Sequence, residues 1–341
     1  MLRHLAVLFA ALCLTACAPM LVQQAGAPPI GFQGARFEGD RVVSFDGARL
    51  GLTTWEAQGE PRAVIVAVHG MNDYANAFHL AAPFWAGEGV TTYAYDQRGF
   101  GRSPQRGIWA DADVLVEDLR TVALLARARH PNAVLVVMGE SMGGSVAARA
   151  FASDRPPVAD RLVLLAPGVW GWDVQPLPYK TALWFSANVT PGKVYTPPKW
   201  LTDRITPTDN REELIRMGRD PLMVWGARSD TLYGLVRLMD DGAKAIGRTQ
   251  APTLYLAGRH DQIIPPKAHR RAARQLRPAD RSVWYENGYH LLTRDLQGPR
   301  VMRDILSFIR DPNAPFPSGA PPIPGAPQPQ PQPAAQRAAG L

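Results

Sequence analysis

The sequence predicts an α/β fold: a mostly parallel, eight-stranded sheet with helices on both faces. Three observations predict it. Short apolar runs rich in β-branched residues recur along the chain, helical stretches separate most of them, and only the first pair is joined by a tight turn. With 341 residues and 46% hydrophobic content, the chain is long and apolar enough to bury a substantial core.

Residues 42–45 and 50–55 flank Asp46-Gly47, a strong signal for a hairpin. The next run, Ala63–Val68, reads AVIVAV and is continuously apolar, as expected of a strand buried on both faces. Similar runs at 91–95, 133–138, 162–165, 253–256 and 282–285 bring the strands to eight. The clearest helix begins at Asp111 and sets Leu115, Leu119, Val122 and Leu125 on one face. Arg127, Arg129 and His130 end it before Pro131, so acids lead, bases trail and a proline stops it. Strands alternating with such helices after an opening hairpin assemble into a parallel sheet covered on both faces.

The rhythm breaks between 168 and 249, where Trp170, Trp172, Trp184, Trp200 and Trp225 cluster. An insertion here, after the sixth strand, sits over one edge of the sheet as a cap. Its tryptophans are expected to fill a small core of its own. The catalytic core is then 41–167 with 250–310.

The ends have different chemistry. Residues 1–16 carry Arg3 and the ten-residue apolar run 5–14, too short to cross a bilayer and suited to a secretory signal. The segment Leu14-Thr15-Ala16-Cys17 resembles the lipobox of bacterial lipoproteins, in which the cysteine is lipidated and becomes the new N-terminus. Ala18 rather than Asp follows it, which by resemblance to the enteric sorting rule favours the outer membrane. The expected location is the bacterial cell envelope, with the membrane as a partner through lipidated Cys17. Residues 17–40 are rich in Pro, Gly, Ala and Gln and read as a flexible tether. Residues 311–341 read as a disordered Pro-rich tail.

Composition excludes several classes. Cys13 leaves with the signal and Cys17 carries lipid, so a structural disulfide, a Cys-ligated zinc and a cysteine nucleophile are all excluded. The net charge of +7 is too dispersed to argue for nucleic acid.

The chemistry centres on Gly139-Glu140-Ser141-Met142-Gly143-Gly144, which follows a strand and opens a small-residue helix. This is G-x-S-x-G in the strand-turn-helix setting that the motif requires. A serine nucleophile needs a base, and the base needs an orienting acid. His290, in a loop after the last strand, is the chosen base. His260 is a second candidate, while His79, His130 and His269 read as structural, His269 on a basic helical stretch. Asp261, in the loop after the 253–256 strand, is the chosen acid; otherwise it caps the following helix, and Asp230 and Asp295 are weaker alternatives. Two backbone N–H groups must hold the oxyanion. Met142, after the nucleophile, and Met71, in the loop His69-Gly70-Met71-Asn72, are the candidates, with His69 ordering that loop.

The order Ser141, Asp261, His290 is that of the α/β-hydrolases. With His69-Gly70-Met71, Asp96-Gln97-Arg98-Gly99-Phe100-Gly101-Arg102-Ser103 and Asp220-Pro221-Leu222, the chain resembles the monoacylglycerol lipase and lysophospholipase group, the serine aminopeptidase-type hydrolases. The resemblance implies the α/β-hydrolase fold, a Ser-His-Asp esterase acting on acyl-lipid esters, a cap over an acyl pocket, and no metal or organic cofactor. It implies that Asp96 and Arg98 brace the turn beside the site. Rival expectations are an aminopeptidase or acyltransferase using the same triad, or an inactive lipid-anchored binding or envelope protein.

Overall fold

The computed structural model describes residues 19–202 and 204–327. The signal run and Cys17 lie outside the described residues. No helix among the described residues is long and apolar enough to cross a membrane.

In chain order the strands are β1 (Val22–Gln23), β2 (Arg36–Glu38), β3 (Arg41–Val43), β4 (Arg49–Trp55), β5 (Ala63–Val68), β6 (Val90–Tyr95), β7 (Trp109–Ala110), β8 (Val134–Glu140), β9 (Arg161–Leu165), β10 (Val194–Tyr195), β11 (Ala227–Arg228), β12 (Thr253–Gly258) and β13 (Arg281–Tyr285). The helices are α1 (Ala81–Gly87), α2 (Ala112–Arg129), α3 (Met142–Phe151), α4 (Leu177–Val189), α5 (Lys199–Thr202), α6 (Arg211–Arg219), α7 (Ser229–Ala245), α8 (Pro266–Ala273) and α9 (Gly298–Arg310). The main sheet runs β13-β12-β9-β8-β5-β6-β4-β3-β2. Pairing is parallel from β13 to β6 and antiparallel from β6 through β4 and β3 to β2.

Side-chain alternation along β5 divides the core. Val64, Val66 and Val68 face a layer containing α2, α3, α7 and α8, whereas Ala63, Ile65 and Ala67 face α1 and α9. Every β5 residue is buried, and each Val or Ile contributes about 1.5–3 kcal/mol by leaving water. The Asp46-Gly47 hairpin forms as its sequence requires. Gly47 takes a positive φ of 84°, and the Asp46 carboxylate accepts the Ala48 N–H at 3.1 Å.

Four features differ from the sequence expectation. The sheet has nine strands among the described residues, because Arg36–Glu38 adds an edge strand beyond the hairpin. Only Phe37 in that strand is apolar, so no run announced it; its ring stacks on Tyr93 at 4.8 Å.

The described part of the 17–40 segment is not a loose tether. β1 pairs with β7, the Gln23 amide donates to the Ile108 carbonyl at 2.7 Å, and the Leu21 N–H donates to Asp230 at 3.1 Å. The start of the Pro-rich tail is also ordered, since Trp284 N–H donates to the Pro321 carbonyl and Ile323 is only 1% exposed. Residues 311–327 therefore cover the open edge of β13, a location where a chain segment shields unpaired backbone groups. Buried Ile323 and Ala326, with Phe316 and Ala320 packed against the core, hold the segment, which composition averages conceal.

The 168–249 insertion divides in two. Its second half, α7, packs on α3 so closely that a Cβ on Gly242 would stand 2.7 Å from Ser145 Cβ. Leu238, Met239 and Ala245 join the main core, so α7 is a core helix rather than part of the cap. The tryptophans do not form a core of their own. Trp184, Trp200 and Trp225 are exposed, while Trp172 meets Tyr233 of α7 edge-on.

Candidate active site

β8 delivers the chain to Ser141, where the backbone turns with φ 52° and ψ −118° before α3 begins at Met142. A positive φ is strained for a residue with a Cβ, at about 1–3 kcal/mol. It is held by the Ser141 N–H to the Leu165 carbonyl at 3.0 Å and the Gly168 N–H to the Ser141 carbonyl at 2.8 Å. Two glycines make the turn possible by close approach. A Cβ on Gly139 would meet the Gly143 carbonyl oxygen at 2.3 Å, and one on Gly143 would meet that of Val68 at 2.1 Å.

The structure brings Ser141, His290 and Asp261 together. His290 Nε2 lies 2.9 Å from Ser141 Oγ, and His290 Nδ1 lies 2.8 Å from Asp261 Oδ2. With Nδ1–H donating to the carboxylate, Nε2 is the lone-pair nitrogen facing the serine hydroxyl. Asp261 also caps its own loop, its Oδ1 accepting the N–H groups of Ile263 at 2.9 Å and Ile264 at 2.8 Å. It does not cap the following helix: Pro265 holds that N-cap position, and no side chain bonds to it. Ser141 keeps 9% exposure, while His290 and Asp261 are buried.

Burial by itself would depress the His290 imidazole, but the Asp261 carboxylate overrides it and raises its pKa above 6.5. Burial opposes ionisation of Asp261 too, yet the His290 charge and the hydrogen bonds from His269 and His290 hold it well below the usual carboxylate range.

The loop His69-Gly70-Met71 runs against Ser141, since a Cβ on Gly70 would lie 3.1 Å from Ser141 Cβ. His69 orders it. Its Nδ1–H donates to the Gly70 carbonyl at 2.7 Å, and its Nε2 accepts the Gln97 N–H at 2.9 Å. Met142 is the first residue of α3, where a backbone N–H has no intrahelical acceptor. Asp96 accepts the Ala75 and Arg102 N–H groups at 2.8 Å each, and Arg98 forks between Asp46 and Asp118. Both brace the turn.

The remaining candidates serve elsewhere. His130 meets the Tyr93 hydroxyl, His79 faces Glu213, and His260 packs beside Tyr289. Asp230 binds Arg228 and the Leu21 N–H, and Asp295 holds the Tyr289 N–H next to His290.

Sequence reasoning missed two groups. Arg294, 1% exposed, reaches Asp73 at 2.7 Å and Glu140, the residue before Ser141, at 2.5 Å. His269 is fully buried rather than on the basic face of α8, and its Nε2 lies 3.0 Å from Asp261 Oδ2. No spacing in the sequence connects either of them to the site.

The family model described as serine aminopeptidase, S33, matches residues 59–297. The chain is 28% identical over 280 residues to the monoacylglycerol lipase of Mycolicibacterium smegmatis, covering 77% of this chain and 93% of that one. It is 24% identical over 272 residues to the human monoglyceride lipase, covering 79% and 88%. Among solved structures, the monoacylglycerol lipase of Paleococcus ferrophilus superposes with a TM-score of 0.63 at 22% identity, covering 76% of this chain and 98% of that one. A soluble variant of the Saccharomyces cerevisiae monoglyceride lipase, in complex with a substrate analog, gives 0.67 at 20% identity, with 83% and 98% covered. The chain thus belongs to the serine aminopeptidase S33 family of α/β-hydrolases, in the group that includes the monoacylglycerol lipases.

Proposed function

We propose that the chain hydrolyses carboxylic esters of acyl lipids, monoacylglycerols and lysophospholipids foremost, through an acyl-enzyme on Ser141. The observation that carries this reading is the Ser141–His290–Asp261 chain of contacts, 2.9 Å and 2.8 Å long, at a strained elbow. Ser141 Oγ attacks the ester carbonyl carbon as His290 Nε2 takes its proton, and Asp261 stabilises the imidazolium. The Met71 and Met142 N–H groups hold the oxyanion. The tetrahedral intermediate collapses, His290 gives its proton to the departing alcohol, and the acyl group stays on Ser141. Water, deprotonated by His290, attacks the acyl-enzyme; collapse frees the acid and returns the proton to Ser141.

The lipid substrate class rests on the relatives named for monoacylglycerol hydrolysis and on the exposed aromatic side chains Trp184, Phe185 and Trp225 in the cap. An aminopeptidase needs an unpaired acid for the substrate amine. Here Asp73 and Glu140 both face Arg294, and Glu213 pairs with Arg216. A panel of monoacylglycerols, lysophospholipids, p-nitrophenyl esters and aminoacyl amides tests the reading, with Ser141→Ala as control. Ester turnover that survives Ser141→Ala, or a preference for the amides, overturns it. Lipidation of Cys17 and an outer-membrane location complete the proposal. If Cys17→Ala leaves the protein in the membrane pellet, the anchor is wrong.

A further inference from the structure

Asp261 Oδ2 receives two imidazoles. His290 approaches at 2.8 Å, and His269, from the first turns of α8, approaches the same oxygen at 3.0 Å. The other carboxylate oxygen is taken by two backbone N–H groups, so every lone-pair direction of Asp261 has a donor.

His269 is completely buried, and its second nitrogen is engaged too. Nδ1 lies 2.9 Å from the hydroxyl of Tyr255, itself fully buried on β12. Burial pushes the Tyr255 phenol well above its ordinary range, so it keeps its proton and donates it to Nδ1. That leaves Nε2 as the N–H of His269, aimed at Asp261. The donor chain therefore runs Tyr255 to His269 to Asp261, ending on the oxygen to which His290 also donates.

We propose that His269 is a positioning residue for the triad: braced by Tyr255, it fixes the Asp261 carboxylate in the rotamer that faces His290. This inference rests on the serine-hydrolase reading above and deepens it. Without the His269 donor, Oδ2 of a buried carboxylate has a vacant lone pair and is held by His290 alone, so its aim at that imidazole is fixed only through Oδ1. The imidazole that must accept the Ser141 proton then loses its fixed tautomer and direction. His269 reaches neither Ser141 nor the space before it, so it acts through Asp261.

The test is the rate at which Ser141 labels with a fluorophosphonate, measured beside ester kcat and KM and thermal unfolding. His269→Leu removes a charge-assisted hydrogen bond and is expected to slow labelling and kcat about 10–100-fold with KM unchanged. His269→Gln offers an amide N–H in the same place and is expected to recover most of the loss. Tyr255→Phe keeps the ring and is expected to cost about two- to tenfold, which decides the matter should His269→Leu not fold. On an Asp261→Ala background, His269→Leu is expected to add nothing.

The proposal is overturned if Tyr255→Phe and His269→Gln label at the parent rate with no His269→Leu defect beyond lowered unfolding temperature. It is equally overturned if His269→Leu costs the same with or without Asp261. A parent protein that does not label at Ser141 defeats the hydrolase reading itself, an outcome distinct from either.

Discussion

His290 stands 2.9 Å from Ser141 although 149 positions separate them in the chain. In the proposed mechanism its protonation state controls the reaction, because only neutral imidazole accepts the serine proton. Asp261, aided by Glu140, raises the His290 pKa above 6.5 despite burial and the opposing Arg294 charge. Activity is therefore expected to fall as pH drops through a midpoint above 6.5, read from the kcat/KM profile on a neutral ester. A midpoint below 6.5 contradicts the pairing.

Arg294 neutralises Asp73 and Glu140 in a site where all three are buried. Arg294→Met leaves two buried carboxylates without their cation and is expected to destabilise the fold by about 3–5 kcal/mol. Denaturant unfolding measures it. A change below about 1 kcal/mol places the pair among interactions that offset their own desolvation.

The Gly143 position admits no side chain, since a Cβ would meet the Val68 carbonyl oxygen at 2.1 Å. Gly143→Ala has to push α3 away from β5, costing about 1–3 kcal/mol as overpacked cores do. Met142 and Ser141 move with it, so kcat is expected to fall about 100-fold, the penalty of a displacement near 1 Å. Full activity in a stable variant would show that the elbow tolerates the shift.

Asp295 is pushed up to about 7 by burial. The folded state then binds this proton more tightly than the unfolded chain, so stability falls as pH rises from about 4 to 7, by on the order of 2–4 kcal/mol. Asp295→Asn keeps an oxygen for the Tyr289 N–H and carries no charge. Its unfolding free energy is expected to vary less with pH across that window; an unchanged slope refutes the assignment.

The segment after α9 shields the β13 edge through the Trp284 N–H to Pro321 carbonyl bond and buried Ile323. A chain ending at Pro312 uncovers both. It is expected to lose about 1.5–3 kcal/mol from Ile323 and to self-associate through the open strand. Thermal unfolding and light scattering check the two effects separately.

Much of the architecture was legible in local patterns. Mostly apolar runs marked β5, β6, β8, β9, β12 and β13, because strands buried on both faces need apolar residues at most positions. The hairpin and α2 followed from turn and capping chemistry. The short edge strand β2 and the ordered segments beside β7 and β13 were not legible. Each relies on a few side chains, such as Phe37, Gln23 and Ile323, whose partners lie far away in sequence.

The same division holds at the site. The sequence by itself pointed to Ser141, Asp261 and His290, with His260, Asp230 and Asp295 as alternatives, since each chemical task admits few residue types; the fold is what brings these three within hydrogen-bond reach. Only the tertiary structure decided what surrounds them. Arg294 meets Glu140 across 154 positions, and His269 turns inward from a helix whose neighbouring residues are arginines. Those partners follow from three-dimensional packing and burial: an ionised or polar group removed from water must find its complement wherever the fold brings one near.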